Sequence, residues 1–327
     1  MNGVADMADR PRVLVTDRAW PDLDLEREIL ANVGAVLIDA PDDRESTLIE
    51  LARDVDAIAT CWAQVTPAII RASPDLKVVA RFGIGLDNIC VKTASELGIP
   101  VTYVPDYCVS EVADHALALV LCSVRKVAFF HLRTKQGEYD LQAGPGLRRL
   151  SSLTLGLLGF GRIARDVYHK ARGLGMNVVA HSESGRTYGT DCSMVSLDSL
   201  LDDSDVVSVH VPLNDLTVHL LGEREFARMK PSAYVVNTSR GAVIDNEALS
   251  RAISSGRLAG AALDVFDPEP PDLSDPLYRD ERVVVTPHAG FLSAESLREL
   301  RTRTATQVAQ ALQGERPEHV VNPHVYE

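Results

Sequence analysis

Short apolar runs of four to eight residues alternate along the chain with longer stretches whose apolar residues recur every three or four positions. RVLVTD (12–17), AVLI (35–38), DAIAT (56–60), KVVAR (77–81) and VTYV (101–104) are of the first kind. They read as strands. DLEREILANVG (24–34) is of the second kind, and Gly34 suits the end of a helix. The first ten or so residues read as frayed. Strand followed by helix, repeated, predicts a parallel sheet with helices on both faces. The first hundred residues therefore read as one small doubly wound domain.

SEVADHALALVLCSVRK (110–126) predicts a helix, with Ser110 as its cap, Glu111 in its first turn and Arg125 and Lys126 in its last. Its small and apolar residues predict burial on more than one side. GEYDLQAGPGLRRL (137–150) carries three glycines and a proline and reads as a loop. A second rhythm follows in LTLGLLGF (153–160), NVVAH (177–181), DVVSVHV (205–211), AYVVNTS (233–239), GAALDVF (260–266) and RVVVTPH (282–288). Six strands suffice for a dinucleotide-binding sheet. The chain closes with a helix at 293–314, ended by Gly314 and Pro317.

The turn after the first strand of the second rhythm is Gly159-Phe-Gly161-Arg-Ile-Ala164, with Ala in place of a third glycine. Gly159 permits a tight turn, Gly161 lets the backbone approach a pyrophosphate, and Ala164 keeps helix and strand close. The N–H groups of residues 161–164 would face the anion. An acid at the end of the next strand would bind the ribose 2′-hydroxyl and mark NAD. Ser182 stands there instead, Glu183 is one residue late, and Arg186 could pair with a 2′-phosphate. NAD is expected, NADP is permitted, and a solvated loop without either role is the plain alternative.

Charge and cysteine usage narrow the classes. With 327 residues the chain is long for one core. A net charge of −13 argues against nucleic acid or an anionic membrane as partner. Five scattered cysteines form no C-x-x-C pair and no metal-ligand spacing, so reduced thiols and no metal are expected. The N-terminal MNGVADMADR has no apolar core of a secretory signal, and Ala116–Cys122, the longest apolar stretch, is too short to span a bilayer. The cytoplasm is the expected location.

In an open parallel sheet, ligands sit beyond the C-terminal ends of the strands. Three such ends carry polar groups: Asn237-Thr238-Ser239-Arg240, Asp264 with Glu269 just after it, and Thr286-Pro287-His288. A cation, a carboxylate and an imidazole suit reduction of a ketone. Hydride delivered to the carbon leaves charge on oxygen, which an imidazolium can protonate. A carboxylate on the other ring nitrogen fixes the tautomer, and a guanidinium can polarise the carbonyl and grip a substrate carboxylate. Singly, Arg240 reads as a surface ion-pair partner, Glu269 as a loop acid between prolines and His288 as a capping histidine. Asp264 could touch the cofactor or cap the next turn.

LGLLGFGRIAR (155–165), VVNTSRGAVID (235–245), GAALDVFDPEP (260–270) and VVVTPHAGF (283–291), in this order, resemble the D-isomer-specific 2-hydroxyacid dehydrogenase family. LKVVARFGIGLDNI (76–89) and VPDYCVSEVADHALALVL (104–121) resemble its branch similar to C-terminal-binding proteins. The resemblance spans roughly 55–323. It implies an α/β fold of two doubly wound Rossmann-like domains, the cofactor domain (107–289) inserted into a substrate domain (1–106 and 290–327). It implies a homodimer, with the 110–126 helix and the 137–150 loop as contact elements. By motif, Arg240 would bind and polarise substrate, Glu269 would support the histidine, and His288 would be the acid/base. Gly83, Ile84 and Gly85 would offer N–H groups to the substrate carboxylate, beside Arg240 and His288. Cofactor contacts would come from Gly159, Phe160, Gly161, Arg162, Ile163, Ser182, Val211, Pro212, Thr238, Ser239, Arg240, Asp264, His288 and Gly290. Phe291 stands where this branch often has Trp, which points to a different substrate pocket.

The expected activity is hydride transfer between NAD(P) and a small 2-keto or 2-hydroxy acid. Two alternatives stay open on the sequence: oxidation of another small anion such as formate or phosphite, and an NAD-sensing regulator acting through a protein partner.

Overall fold

The apolar runs fold as strands, and they do so in two separate sheets. A computed structural model describes residues 10–144 and 146–327. The expected frayed start falls on residues 1–9, outside the described residues. The chain divides into one unit of Met1–Tyr107 with Ser293–Glu327 and another of Cys108–Leu292. The second break comes three residues later than the expected 289/290. Gly290 and Ala289 are held to the second unit by hydrogen bonds to the Asp264 carboxylate, both 2.8 Å, and Leu292 bonds back to Ala289.

In the first unit, strands β1 (Arg12–Val15), β2 (Val36–Asp39), β3 (Ala57–Thr60), β4 (Val78–Arg81) and β5 (Val101–Thr102) make one sheet of order β2-β1-β3-β4-β5. All pairings are parallel. Every residue of β3 and β4 is buried, as two covered faces require. The C-terminal helix Ala294–Leu312 packs on the helix Asp24–Ala31, and Arg301 grips the buried Glu26 with two hydrogen bonds of 2.8 Å. That contact returns the end of the chain to its beginning.

The second unit holds β6 (Thr154–Leu158), β7 (Asn177–His181), β8 (Ser193–Met194), β9 (Val206–Val209), β10 (Tyr234–Asn237), β11 (Gly260–Leu263) and β12 (Val283–Val285). Their order is β12-β11-β10-β9-β6-β7-β8, all parallel. The strand order reverses at β6, so the crevice between the ends of β6 and β9 is a switch point of the kind that binds nucleotides. Seven strands stand where six were expected. The seventh, β8, is two residues long and carries no apolar run, so the sequence pattern does not mark it.

β10, β11 and β12 end two to three residues earlier than the apolar runs suggest, and this frees Thr238, Asp264, Thr286 and their successors for loops. The helix expected at 110–126 is Val109–Val124. Cys108 is its N-cap and makes no side-chain capping hydrogen bond, and Ser110 accepts a hydrogen bond from Lys170 Nζ at 3.0 Å. Arg125 is the C-cap, and Lys126, at φ 53°, starts a further helix, Val127–Lys135. That helix gave no apolar stripe to read because it buries none of its own residues. The helix Val109–Val124 buries eight residues, which fits a helix covered on more than one side. Residues 137–144 and 146–149 hold no helix or strand, and a 3-10 turn follows at Leu150–Ser152. Among the described residues no single helix is long and apolar enough to cross a membrane. The five cysteines are free thiols.

Candidate active site

Three adjacent parallel strands carry the polar groups to one edge. β10, β11 and β12 are paired in register, Asn237 opposite Leu263 and Leu263 opposite Val285. Neighbouring strands lie roughly 4.8 Å apart. The loops that follow them are therefore side by side although far apart in sequence.

After β10 the chain turns sharply. Asn237 Oδ1 accepts from the N–H and hydroxyl of Ser239, each at 3.0 Å, and Asn237 Nδ2 donates to the Arg240 carbonyl at 2.8 Å. Arg240 Nη1 donates to the Ser239 carbonyl at 2.7 Å. Gly241 is wedged against the loop after β11: an added Cβ would stand 1.9 Å from the Phe266 carbonyl carbon. Only glycine allows these two backbones to touch, and the loop it touches leads directly to Glu269.

Glu269 is fixed at both oxygens. Oε1 accepts from the Phe266 N–H and Oε2 from His288 Nδ1, both at 2.8 Å. A carboxylate has no proton to give, so Nδ1 carries it and Nε2 is left for other partners. His288 itself sits at φ 52°, in the left-handed region. Its N–H donates to the Asp264 carbonyl at 2.7 Å and lies 3.0 Å from that of Thr286. The Phe291 ring stands edge-on to the imidazole, with centroids 6.2 Å apart. The pair is partly accessible, 24% for His288 and 31% for Glu269, so solvent-borne reactants can reach it.

Asp264 is 1% exposed. Burial disfavours its charge, but hydrogen bonds from His115, Thr286 and the N–H groups of Ala289 and Gly290 outweigh burial and hold its carboxyl below the usual range. Its side chain bonds to Thr286, Ala289 and Gly290 in the turn after β12, not to the turn that follows it in the chain.

The glycine turn has the form a dinucleotide needs. Gly159 is at φ 97°, and a Cβ there would lie 2.6 Å from the His210 carbonyl oxygen, across the switch point. Gly161 precedes the helix Arg162–Gly173, has no side-chain cap, and a Cβ there would meet nothing within 4 Å. Space and the N-terminus of a helix thus coincide where a pyrophosphate would lie. Ala164 is fully buried, which explains why a methyl group is tolerated at the third position. Ser182 Oγ and Thr238 Oγ1, at the ends of β7 and β10, are buried with no hydrogen-bond partner among the described residues. These features fit a bound NAD(P).

Other expected cofactor positions lie close by with different faces turned outward. The Phe160 ring is buried against Tyr168, so only its backbone can meet a ligand. Arg162 is exposed and Ile163 half-buried. Val211 is half-buried and Pro212 exposed after β9. Glu183 and Arg186 are exposed in the loop after Ser182. Gly290 is buried beside Asp264. His210 bonds through Nε2 to Ser208 Oγ at 2.9 Å, and burial pulls its pKa down to about 4.

In the first unit, Gly83 is at φ 153° and the N–H groups of Gly83, Ile84 and Gly85 have no partner among the described residues. Arg81 braces this loop from inside: Nε donates to the Gly85 carbonyl at 3.0 Å and Nη1 to that of Phe82 at 2.5 Å. Asn237, Gly241, Thr286 and His115 shape the strand-end cluster of the second unit and Arg81 the glycine loop of the first; the sequence alone assigns none of them a role. Asn237 and Thr286 stood inside the quoted motifs, two or three residues from a candidate. His115 lies inside VPDYCVSEVADHALALVL (104–121) too, but 171 residues from the threonine it contacts, so nothing local ties it to the strand ends.

Comparison with known proteins shows the family. Residues 117–290 match the profile of the NAD-binding domain of D-isomer-specific 2-hydroxyacid dehydrogenases. A glyoxylate reductase from Korarchaeum cryptofilum is 37% identical over 97% of both chains. A hydroxypyruvate reductase from Thermotoga maritima is 37% identical over 88% of this chain and 94% of its own. Among solved structures, a glyoxylate reductase from Paecilomyes thermophila superposes with a TM-score of 0.87 at 29% identity, covering 97% of this chain and 99% of that one.

Proposed function

From the premise that this chain belongs to the D-isomer-specific 2-hydroxyacid dehydrogenase family, and is an NAD(P)-dependent oxidoreductase of that type, we propose a substrate class and roles for its residues. The substrate is a 2-keto acid of the glyoxylate and hydroxypyruvate size, reduced to the 2-hydroxy acid. The likeness to reductases of those two compounds supports that size class.

The observation that carries the mechanism is the bond from His288 Nδ1 to Glu269, 2.8 Å long. It leaves Nε2 of an imidazolium as the proton donor to the keto oxygen, and Nε2 of the neutral ring as the acceptor in the reverse direction. Glu269 accepts the hydrogen bond from Nδ1 and so fixes which ring nitrogen is turned to the substrate. Arg240 supplies positive charge for the substrate carboxylate and for the developing oxyanion. The free N–H groups of Gly83, Ile84 and Gly85 are assigned to the substrate carboxylate. Gly159, Gly161, Arg162 and Ile163 hold the pyrophosphate, Ser182 the adenosine ribose, and Thr238 and Ser239 the nicotinamide half. The bound nicotinamide supplies the hydride.

We further assign a homodimer, with contacts from the helix Val127–Lys135 and from Tyr139 and Leu141 in the loop after it. Val127, Leu132, Tyr139 and Leu141 are 50–90% exposed there, an apolar set that water does not favour. Light scattering at micromolar concentration reads the mass directly.

Purified protein with NADH or NADPH should lose cofactor absorbance on glyoxylate or hydroxypyruvate. His288→Asn should slow that by at least ~10²-fold while cofactor binding is retained. Failure of the parent to oxidise either cofactor with any small 2-keto acid would remove the assignment.

A further inference from the structure

His115 stands in the middle of the helix Val109–Val124 and belongs to none of the roles above. Its Nε2 lies 3.0 Å from Thr286 Oγ1 and 3.2 Å from Asp264 Oδ1. Thr286 spends its hydroxyl proton on Asp264 Oδ1, at 2.6 Å. The threonine oxygen can then only accept, so His115 Nε2 is the donor, shared between Thr286 and Asp264.

Asp264 passes this restraint on to the loop of His288. Its two carboxylate oxygens accept from the N–H groups of Ala289 and Gly290, both at 2.8 Å, and its carbonyl accepts from His288 itself at 2.7 Å. His288 is thus tied on its own N–H and at the two residues after it, all to one aspartate. The tie matters because His288 is at φ 52°, a conformation a side chain with a Cβ keeps only where its surroundings demand it. There is no slack on the far side either. A Cβ on Gly290 would lie 2.9 Å from Asp264 Oδ2 and 3.5 Å from His115 Cδ2.

We propose that His115 is a positioning residue: through Thr286 and Asp264 it holds the loop that keeps His288 in its left-handed conformation and its imidazole on Glu269. The inference rests on reading His288 as the acid. His115 meets neither substrate nor cofactor in this account, so its removal acts on the rate of proton delivery and spares cofactor binding.

His115→Leu removes the donor at similar volume, and His115→Gln keeps an N–H that can reach Thr286. Thr286→Val breaks the same link from its other end, should His115→Leu fold poorly by thermal melting. The measurements are kcat and KM on glyoxylate and the Kd of the reduced cofactor by fluorescence. His115→Leu and Thr286→Val should lower kcat by about tenfold or more, because a misplacement near 1 Å at reacting groups costs up to ~10²-fold. Cofactor Kd should hold, and His115→Gln should recover most of kcat. Parent-like kcat in either apolar variant, loss of cofactor binding in step with kcat, or no recovery with glutamine would each overturn the proposal. His288→Asn separates the two levels. If it turns over like the parent, the acid assignment itself fails. If it is slow while His115→Leu and Thr286→Val are not, only the positioning role fails.

Discussion

Replacing Glu269 by glutamine changes one atom and reverses one hydrogen bond. In the parent, Oε1 accepts from the Phe266 N–H and Oε2 from His288 Nδ1, each at 2.8 Å. The Phe266 N–H can only donate, so the amide oxygen of Gln must stay there. The amide nitrogen then faces Nδ1, which must present its lone pair. The neutral ring is forced to carry its proton on Nε2, and an imidazolium would set two donors against each other. What is lost is a charge-assisted hydrogen bond, about 1.5–3 kcal/mol. At 1.36 kcal/mol per tenfold this is about 10- to 150-fold in kcat. Both side chains are a quarter to a third exposed, so water screens the pair and the lower half of the range is expected. Steady-state reduction of glyoxylate at saturating cofactor measures it, with a melting curve to show the fold intact. Oxidation of the hydroxy acid should suffer at least as much, since Nε2 with a proton cannot accept another. A kcat within twofold of the parent in both directions would refute the reasoning.

Gly159→Ala places a Cβ 2.6 Å from the His210 carbonyl at φ 97°, so it should lower the melting temperature and weaken cofactor binding together; a variant that melts and binds like the parent contradicts the close approach. Ser182→Asp supplies the acid missing after β7 and should shift the ratio of kcat/KM for NADH over NADPH upward by about tenfold or more, as a repelled 2′-phosphate and a bound 2′-hydroxyl both favour NADH; an unchanged ratio would mean that Ser182 does not face the ribose. His210 has a folded pKa of about 4, below its value in the unfolded chain, so the unfolded chain takes up the proton first as pH falls. Its contribution to stability is complete above about pH 6.5 and declines towards pH 4, by up to about 3 kcal/mol. Urea unfolding across that window should show a shallower pH slope for His210→Gln than for the parent, and parallel slopes would discard the effect.

The two sheets were legible because strands covered on both faces are continuous apolar runs, as in β3, β4 and β6. The elements that were not legible lack that contrast. β8 is two polar-flanked residues at the sheet edge, and the helix Val127–Lys135 buries nothing. The candidate residues Arg240, Glu269 and His288 announced themselves by position, each just past the end of a strand. Which groups hold them did not, because the holding is done between elements. Gly241 reads as an unremarkable residue after Arg240 until its Cβ is built against Phe266. Likewise Thr286 reads as a strand terminus until its hydroxyl is found on Asp264.

That division has a physical reason, and it bears on how this site can vary. A strand end fixes where a side chain starts, but proton transfer depends on where its far atoms finish, to a fraction of an ångström. Backbone register supplies the first through β10, β11 and β12. The second comes from Asn237 on the Arg240 turn, from the Phe266 N–H on Glu269, and from Asp264 on the His288 loop. Each restraint runs from the same three strand ends, within one unit, so the guanidinium, carboxylate and imidazole are held without help from residues that would meet the substrate's side chain. Phe291 stands edge-on to His288 and is not one of the groups that make these bonds. Changes at such positions can therefore alter which keto acid fits while the proton donor stays where Glu269 and Asp264 put it.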